Sequence, residues 1–304
     1  MNTIQFLKRK EIDEQKWNHL IHHAQTTLPY ALTWYLDAVA ENWDALVFGD
    51  YQVVFPLPWF RKWGAKCIYQ PFFCQQLGFF HSDVLHEQAA QDCLNYTKKK
   101  FPYIDLNLNS STRILLDKFP FKSKNNFLIS LRNDYKTLSK NYSVNHQRNI
   151  KKAVKLNLSL IEVDADNFVP FYLQQIQKRQ SDFKLKHGNV FRLLTDALIK
   201  SNKGKIIAVK NRENEIISGS LFIFYRDRII NIAQATDTEG RDSGAAHFLF
   251  DGIIRQHAGS DKILDFEGSS IPSIARFYKG FGAEAEIFYQ YKTNVLKRIG
   301  FTTE

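Results

Sequence analysis

Sulfur is scarce in this chain of 304 residues, which has three cysteines and one methionine. Cys67, Cys74 and Cys93 are odd in number and form no CxxC pair, so neither a disulfide framework nor a zinc site is expected. The simplest reading is three thiols in a reducing cytoplasm. No HExxH pattern occurs, no metal is expected, and nothing matches a GxSxG or Walker pattern. Apolar runs of 18 residues are absent too, which excludes a transmembrane helix. The opening stretch, MNTIQFLKRKEIDEQ, lacks an apolar core and a small-residue cleavage site, so it does not read as a secretory signal. A cytoplasmic protein is the expectation.

Acidic residues are outnumbered, 31 against 41 basic ones, for a net charge of +10. Coenzyme phosphates, RNA or a membrane face would all suit that balance, and charge alone does not choose among them. With 44% hydrophobic and 24% charged residues the chain is globular. Its length suits roughly two domains of about 150 residues each.

Two similar runs of elements follow one another. In the first half, Ile4–Lys8 reads as a strand and Asp13 to Ala24 as an acid-capped helix with Trp17, Leu20, Ile21 and Ala24 on one face. A helix over Trp34 to Trp43 comes next, then a hairpin, Ala45–Phe48 and Gln52–Pro56, about Gly49-Asp50. A strand from Cys67, a helix over Leu85 to Phe101, and strands at Ile104–Leu108 and Phe127–Leu131 complete the half. In the second half, Leu158–Val163 is a strand, and Asn167 to Arg179 and Phe191 to Lys200 are helices. Strands Lys205–Lys210, Ile216–Tyr225 and Ile229–Ala235 follow, then a helix over Ser243 to His257. The pattern is α+β with mixed sheets. Between the halves lies Tyr135 to Asn157, which carries Lys136, Lys140, His146, Arg148, Lys151, Lys152 and Lys155 above a thin stripe of Ile150, Ala153 and Val154. It reads as one basic helix, either a solvated face or a platform for phosphate or RNA backbone. The divisions expected are 1–134, a linker 135–157, and 158–304.

The segment Lys262 to Lys292 reads as strand, short helix, strand, with the acid Glu267 at the end of the first strand and the phenol Tyr278 on the helix. A carboxylate at a strand end beside a helix-borne phenol suits acid–base work in acyl transfer to an amine. Only one of the two acids Asp265 and Glu267 is expected to face the cleft. Ile287, Tyr289 and Tyr291 are expected on one face of the last strand.

Ala275, Tyr278 and Gly282 have the spacing of the last motif of the GNAT acyltransferases, and the chain resembles that superfamily here. FYKGFG (Phe277 to Gly282) is more similar still to the Fem-type peptidoglycan-bridge aminoacyltransferases, built from two GNAT units. Phe277, Lys279, Gly280 and Phe281 match their pattern, while Tyr278 stands where the Fem enzymes usually have a lysine. The run Asn149-Ile150-Lys151-Lys152-Ala153 is similar to the segment joining their halves. The arginine-glycine-proline run with an aspartate that helps Fem enzymes hold a muropeptide is not found at Gln70 to Gly78.

The resemblance implies two tandem GNAT-like units, each a mixed, mostly antiparallel sheet flanked by helices, with the donor site in the second. Arg241-Asp242-Ser243-Gly244-Ala245-Ala246 resembles the GNAT pyrophosphate loop, where small residues and free N–H groups at a helix start accept phosphate. The other reading is an ordinary helix with Ser243 as its N-cap. The expected reaction is direct transfer of an acyl group, or an aminoacyl group, from a CoA thioester (acyl-CoA or acetyl-CoA) to a small-molecule or peptide amine. Tyr278 would act as general acid and Glu267 as base, with N–H groups near Ala235, Thr236 and Asp237 meeting the oxyanion. Lys279 and Phe277 are candidates for phosphate or substrate contact. Two alternatives stand beside this. One is a Fem-like transferase that takes its amino acid from aminoacyl-tRNA in cell-wall or peptide-bridge synthesis, with the basic 136–155 helix holding the tRNA. The other is a catalytically degenerate binding module. The sequence does not give the oligomeric state.

Overall fold

A computed structural model describes residues 4–179, 183–268 and 271–295. The chain forms two compact units, Met1–Asn125 with Ile287–Glu304, and Asn126–Glu286. The boundaries drawn from sequence at 134/135 and 157/158 both fall inside the second of these.

In chain order the first elements are β1 (Ile4–Lys8), α1 (Glu14–His23), α2 (Thr33–Val39), β2 (Asn42–Phe48), β3 (Val53–Lys62), β4 (Ala65–Tyr69), β5 (Phe80–His81), α3 (Glu87–Lys100), β6 (Tyr103–Leu108) and β7 (Phe121–Ser130). Then come α4 (Tyr135–Lys140), α5 (Val144–Lys155), β8 (Ser159–Val163), α6 (Ala165–Gln177), α7 (Leu185–Lys200), β9 (Gly204–Lys210), β10 (Ile216–Tyr225), β11 (Arg228–Thr236), α8 (Thr238–Ser243), α9 (Ala245–His257), β12 (Ile263–Asp265), α10 (Pro272–Lys279) and β13 (Glu284–Asn294).

The sheet of the first unit runs β1-β2-β3-β4-β6-β13, with β5 on β3. Its pairs are antiparallel except β4–β6. The helices form where sequence chemistry allows. Asp13 caps α1 by accepting from the amides of Gln15 and Lys16, and Trp17, Leu20 and Ile21 are its buried stripe. The core is aromatic, with Trp17, Tyr30, Tyr35, Phe55, Phe79 and Phe80 fully buried.

The second unit repeats the pattern as β7-β12-β11-β10-β9-β8, antiparallel except β11–β12. Helices α5 and α9 pack together, and α6 lies on β9, β10 and β11. Phe222, Phe250, Phe266 and Phe281 are buried at the centre of its core.

Several expectations change. The basic stretch is two helices, because Ser143 starts a new one by accepting from the amide of His146. Both belong to the second unit. The helix expected over 243–257 starts at Ala245 as α9, because Gly244 has a φ of +80° that no helix interior tolerates, and Ser243 ends a separate short helix, α8. The helix expected over Trp34 to Trp43 ends at Val39, and Trp43 already lies in β2. In β13, Ile287 is exposed whereas Tyr289 and Tyr291 are buried in the first unit. There Tyr291 pairs with Leu106 of β6 and packs on Phe119 and Phe121.

Candidate functional site

Strand β11 is nine residues long, but β12 follows it for three, with Arg228, Ile229 and Ile230 opposite Ile263, Leu264 and Asp265. Two features part the strands beyond that point. The β10–β11 register shifts between Leu221 and Phe222, and Glu267 turns the chain after β12 with φ +54°. The closed end is pinned by the buried pair of Arg228 Nη1 and Asp265 Oδ2, 2.8 Å apart. Asn231 Nδ2 makes the last bridge, 3.1 Å to the carbonyl of Phe266. Past it β11 and the chain after β12 show no further strand pairing with each other among the described residues.

The edge of β11 facing this seam carries backbone polar groups. The Asp237 amide bonds Ile217 of β10 at 3.1 Å. By antiparallel alternation, Thr236 and Gln234 turn their N–H and C=O groups away from β10. The Thr236 carbonyl accordingly accepts from Arg241 Nη1 at 2.9 Å and from the Arg179 guanidinium. The two cations lie close enough for Arg241, after burial, to lower the pKa of Arg179.

The expected acid and base follow β12 in the chain, and Tyr278 packs against Phe127, Phe250 and Phe266. Tyr278 is half-buried on α10, its ring stacked on Phe266 at 4.8 Å. Burial raises the phenol's pKa well above its ordinary value, and the charges of Glu267 and Asp265 add to this. Glu267 is half-buried as well, held by a bond from its own amide to Asp265 Oδ1 of 2.9 Å. It also acts on Tyr172 of α6, a buried phenol raised by burial first and by Glu267 second. Glu267 therefore sits within electrostatic reach of two phenols that stay protonated at neutral pH. Of Asp265 and Glu267, the former is committed to Arg228 and fully buried, and the latter is half-buried.

Of the other expected residues, Thr236 and Arg241 belong to the β11 edge and the rest lie away from it. Ala235 and Thr236 are buried in β11, with Gly219 and Ser218 opposite them in β10. Arg241 folds back on Thr236 and Thr238. Ser243, Gly244 and Ala245 are buried and Ala246 half-buried. A Cβ on Gly244 would come within 2.7 Å of the carbonyl oxygen of Asn149, so α5 lies directly against the first turn of α9. Those residues as arranged do not fit a diphosphate cradle. Asp237 and Gly244, not Ser243, occupy the caps of α8 and α9. Phe277 packs on His146, His247, Phe250 and Phe281. Lys279 is exposed, its ammonium 5.7 Å from the Phe127 ring. Among the described residues no group of three or more potential ligands could hold a metal. His19 and His23, one turn apart in α1, have rings 4.2 Å apart, a spacing the sequence reading passed over.

The first unit holds the corresponding seam and fills it. Strands β4 and β6 are parallel over Cys67 to Tyr69 and Tyr103 to Asp105, again three residues each. Beyond them the chain's own 70–79 segment enters. The Asn107 amide donates to Gln70 Oε1 at 2.9 Å, Leu77 bonds Asn107 at 2.8 Å, and the Asn109 amide bonds Leu77 at 2.8 Å. The stretch that lacks the arginine-glycine-proline run thus serves here as a plug for this seam.

The chain shares its fold with FemX. The two align with a TM-score of 0.68 and 14% identity, over 97% of this chain and 99% of that one. A conserved protein from Bacteroides thetaiotaomicron VPI-5482 aligns at 0.62 with 10% identity, over 95% and 99%. L-PGS from Bacillus licheniformis aligns at 0.56 with 10% identity, over 95% and 94%. No protein-family model and no curated protein sequence matches significantly. The fold is two tandem GNAT-like units of the Fem type. Among the described residues no helix is long and apolar enough to cross a membrane.

Tyr172 and Arg179 were missed by sequence reasoning. Both lie on or just past α6, spaced seven residues apart, and look like an ordinary amphipathic helix until β11 is seen beneath them.

Proposed function

We propose that the second unit transfers an acyl group from an activated carboxyl donor to an amine at the seam between β11 and β12. The observation that carries this reading is the electrostatically coupled, half-buried pair of Glu267 and Tyr278 just past the point where β11 and β12 stop pairing. In the reaction the amine nitrogen bonds to the donor carbonyl carbon while Glu267 takes the amine proton. The bond from that carbon to sulfur or oxygen breaks, and the leaving atom takes the proton of Tyr278. Glu267 then returns its proton to the phenolate, which restores both groups. A thiol has a pKa near 8.5 and a phenol near 10, and burial raises Tyr278 further, so its proton passes uphill to a departing thiolate, drawn by collapse of the intermediate, and downhill to a departing alkoxide, which is more basic than a phenolate. The backbone N–H groups of Gln234 and Thr236 on the edge turned away from β10 would meet the developing oxyanion.

For the donor, a CoA thioester is one reading and aminoacyl-tRNA the other. Two observations favour the second. The Gly244 turn is packed against Asn149, where a CoA diphosphate would need room. Helices α4 and α5 expose Lys136, Lys140, Arg148, Lys151 and Lys155, none in an ion pair among the described residues. Such a face suits a phosphate backbone.

Two measurements test this. Thermal melting with acetyl-CoA, with aminoacyl-tRNA and with uncharged tRNA identifies the donor by which one raises Tm. With that donor and a panel of amines, Tyr278→Phe should lower kcat by about a hundredfold or more and leave donor affinity unchanged. Wild-type turnover in that variant removes Tyr278 from the mechanism. No turnover by the wild type on any amine leaves a binding module.

A further inference from the structure

We propose that His146 is a positioning residue for Tyr278: the start of α5 grips the end of α10 and holds the phenol at the seam. This rests on the role given to Tyr278 above.

Helix α10 is eight residues long and none of them is fully buried. A helix so short has little stability of its own, and its last carbonyls accept locally only from the turn that follows, as the Phe277 carbonyl does from the Gly280 amide at 3.2 Å, which leaves their second lone pairs open to α5. Helix α5 supplies partners. His146 Nε2 lies 2.7 Å from the carbonyl oxygen of Phe277, the residue adjoining Tyr278. A carbonyl only accepts, so Nε2 carries the proton and donates. Nδ1 is then bare and accepts from Ser143 Oγ at 2.9 Å, which fixes the ring. The Ser143 amide donates to the carbonyl of Gly280 at 2.8 Å. Two consecutive features of the α5 start thus hold the last turn of α10.

The imidazole is also wedged. It is buried, with the Phe281 ring 4.4 Å away edge-on and the Phe277 ring 5.3 Å away. Gly280 explains itself by this contact. Its φ of −65° would suit any residue, but a Cβ there would lie 2.0 Å from the imidazole Cε1. The glycine of FYKGFG is the socket for the histidine of the basic segment. A slide or rotation of α10 would carry Tyr278 with it, and misplacement by about 1 Å costs on the order of a hundredfold in rate.

The variants His146→Gln and His146→Phe separate the hydrogen bond from the packing. Glutamine can present an N–H where Nε2 stood; phenylalanine fills the space without one. The expected result for His146→Phe is a fall in kcat of about tenfold or more with donor KM within about twofold, while His146→Gln stays within about threefold of wild type. Equal kcat in the two variants, or a change in KM alone, overturns the assignment. Amide exchange gives a readout independent of turnover. Residues 272–282 should exchange about tenfold faster in His146→Phe than in His146→Gln, with α6 unchanged. If the wild type shows no turnover, the proposed function fails and exchange alone decides the clamp. Should His146→Phe not fold, Gly280→Ala serves. It should be damaging in the wild type and tolerated beside His146→Ala, and equal damage in both backgrounds overturns the contact.

Discussion

Glu267 holds a left-handed backbone conformation, φ +54°, which a side chain adopts at a cost of about 1–2 kcal/mol. Strain of this kind persists where the surroundings impose it, and it gathers at working sites. Glu267→Gly should therefore lower turnover by about a hundredfold while leaving stability equal or about 1 kcal/mol higher, since glycine relieves the strain and adds some unfolded-state freedom. Chemical denaturation checks the second half; a loss of more than about 1 kcal/mol would mean that the carboxylate is structural. His247 makes a different demand. Burial first, then His146, depresses its pKa to about 4. An unfolded histidine titrates near 6.5, so the unfolded chain binds this proton first as pH falls. The stability tied to neutral His247 is complete above about pH 6.5 and is lost progressively down to about pH 4, by at most about 3 kcal/mol. Denaturation of the wild type and of His247→Asn at pH 7, 6 and 5 should give curves that converge toward acid. Parallel curves would show that His247 does not remain neutral in the fold.

At the scale of elements, the strands β9, β10 and β11 were legible because their apolar runs are long and bounded by polar turns. The seam was not. Where β11 leaves β12 depends on a register shift in β10–β11 and on one positive φ at Glu267, and no periodicity encodes either. Glu267 and Tyr278, the base and acid proposed above, stand out in sequence because they share one strand–helix step. Tyr172 and Arg179 could not, because only the packing of α6 on β11 brings them there. The plugging of the first seam by 70–79 likewise rests on bonds between residues some thirty apart, such as Leu77 to Asn107. Gly244 marks the same limit. In sequence it reads as a phosphate-loop glycine, and in the fold it is where α5 meets α9. Gly244→Ala should lose about 2 kcal/mol or more of stability, from the left-handed φ and from a methyl 2.7 Å from the Asn149 oxygen. The urea midpoint measures this. A neutral substitution would mean that α5 stands clear of the turn, and it would reopen the diphosphate site.

At the scale of the molecule, the duplication read from element order is present, but the two units are not consecutive lengths of chain. The sequence crosses into the second unit within β7 and returns within β13, whose Tyr289 to Asn294 pair with β6 of the first. Nothing in the alternation of β13 names its partner; what decides it is the aromatic lining of Phe119 and Phe121 that receives Tyr289 and Tyr291. The first unit is therefore complete only after almost the whole chain is made. Burying a tyrosine removes about 150–250 Å² from water, worth about 4–6 kcal/mol each at 25 cal/mol per Å² and less against a compact unfolded state. Both together rival the whole stability of a domain, about 5–15 kcal/mol. A chain ending at Glu286 should thus leave residues 4–125 unprotected while residues 126–286 keep their slow amides. Hydrogen exchange read by mass spectrometry gives the answer directly. Full protection of Trp17, Tyr35 and Phe55 in the shortened chain would mean that the first unit closes without its borrowed strand.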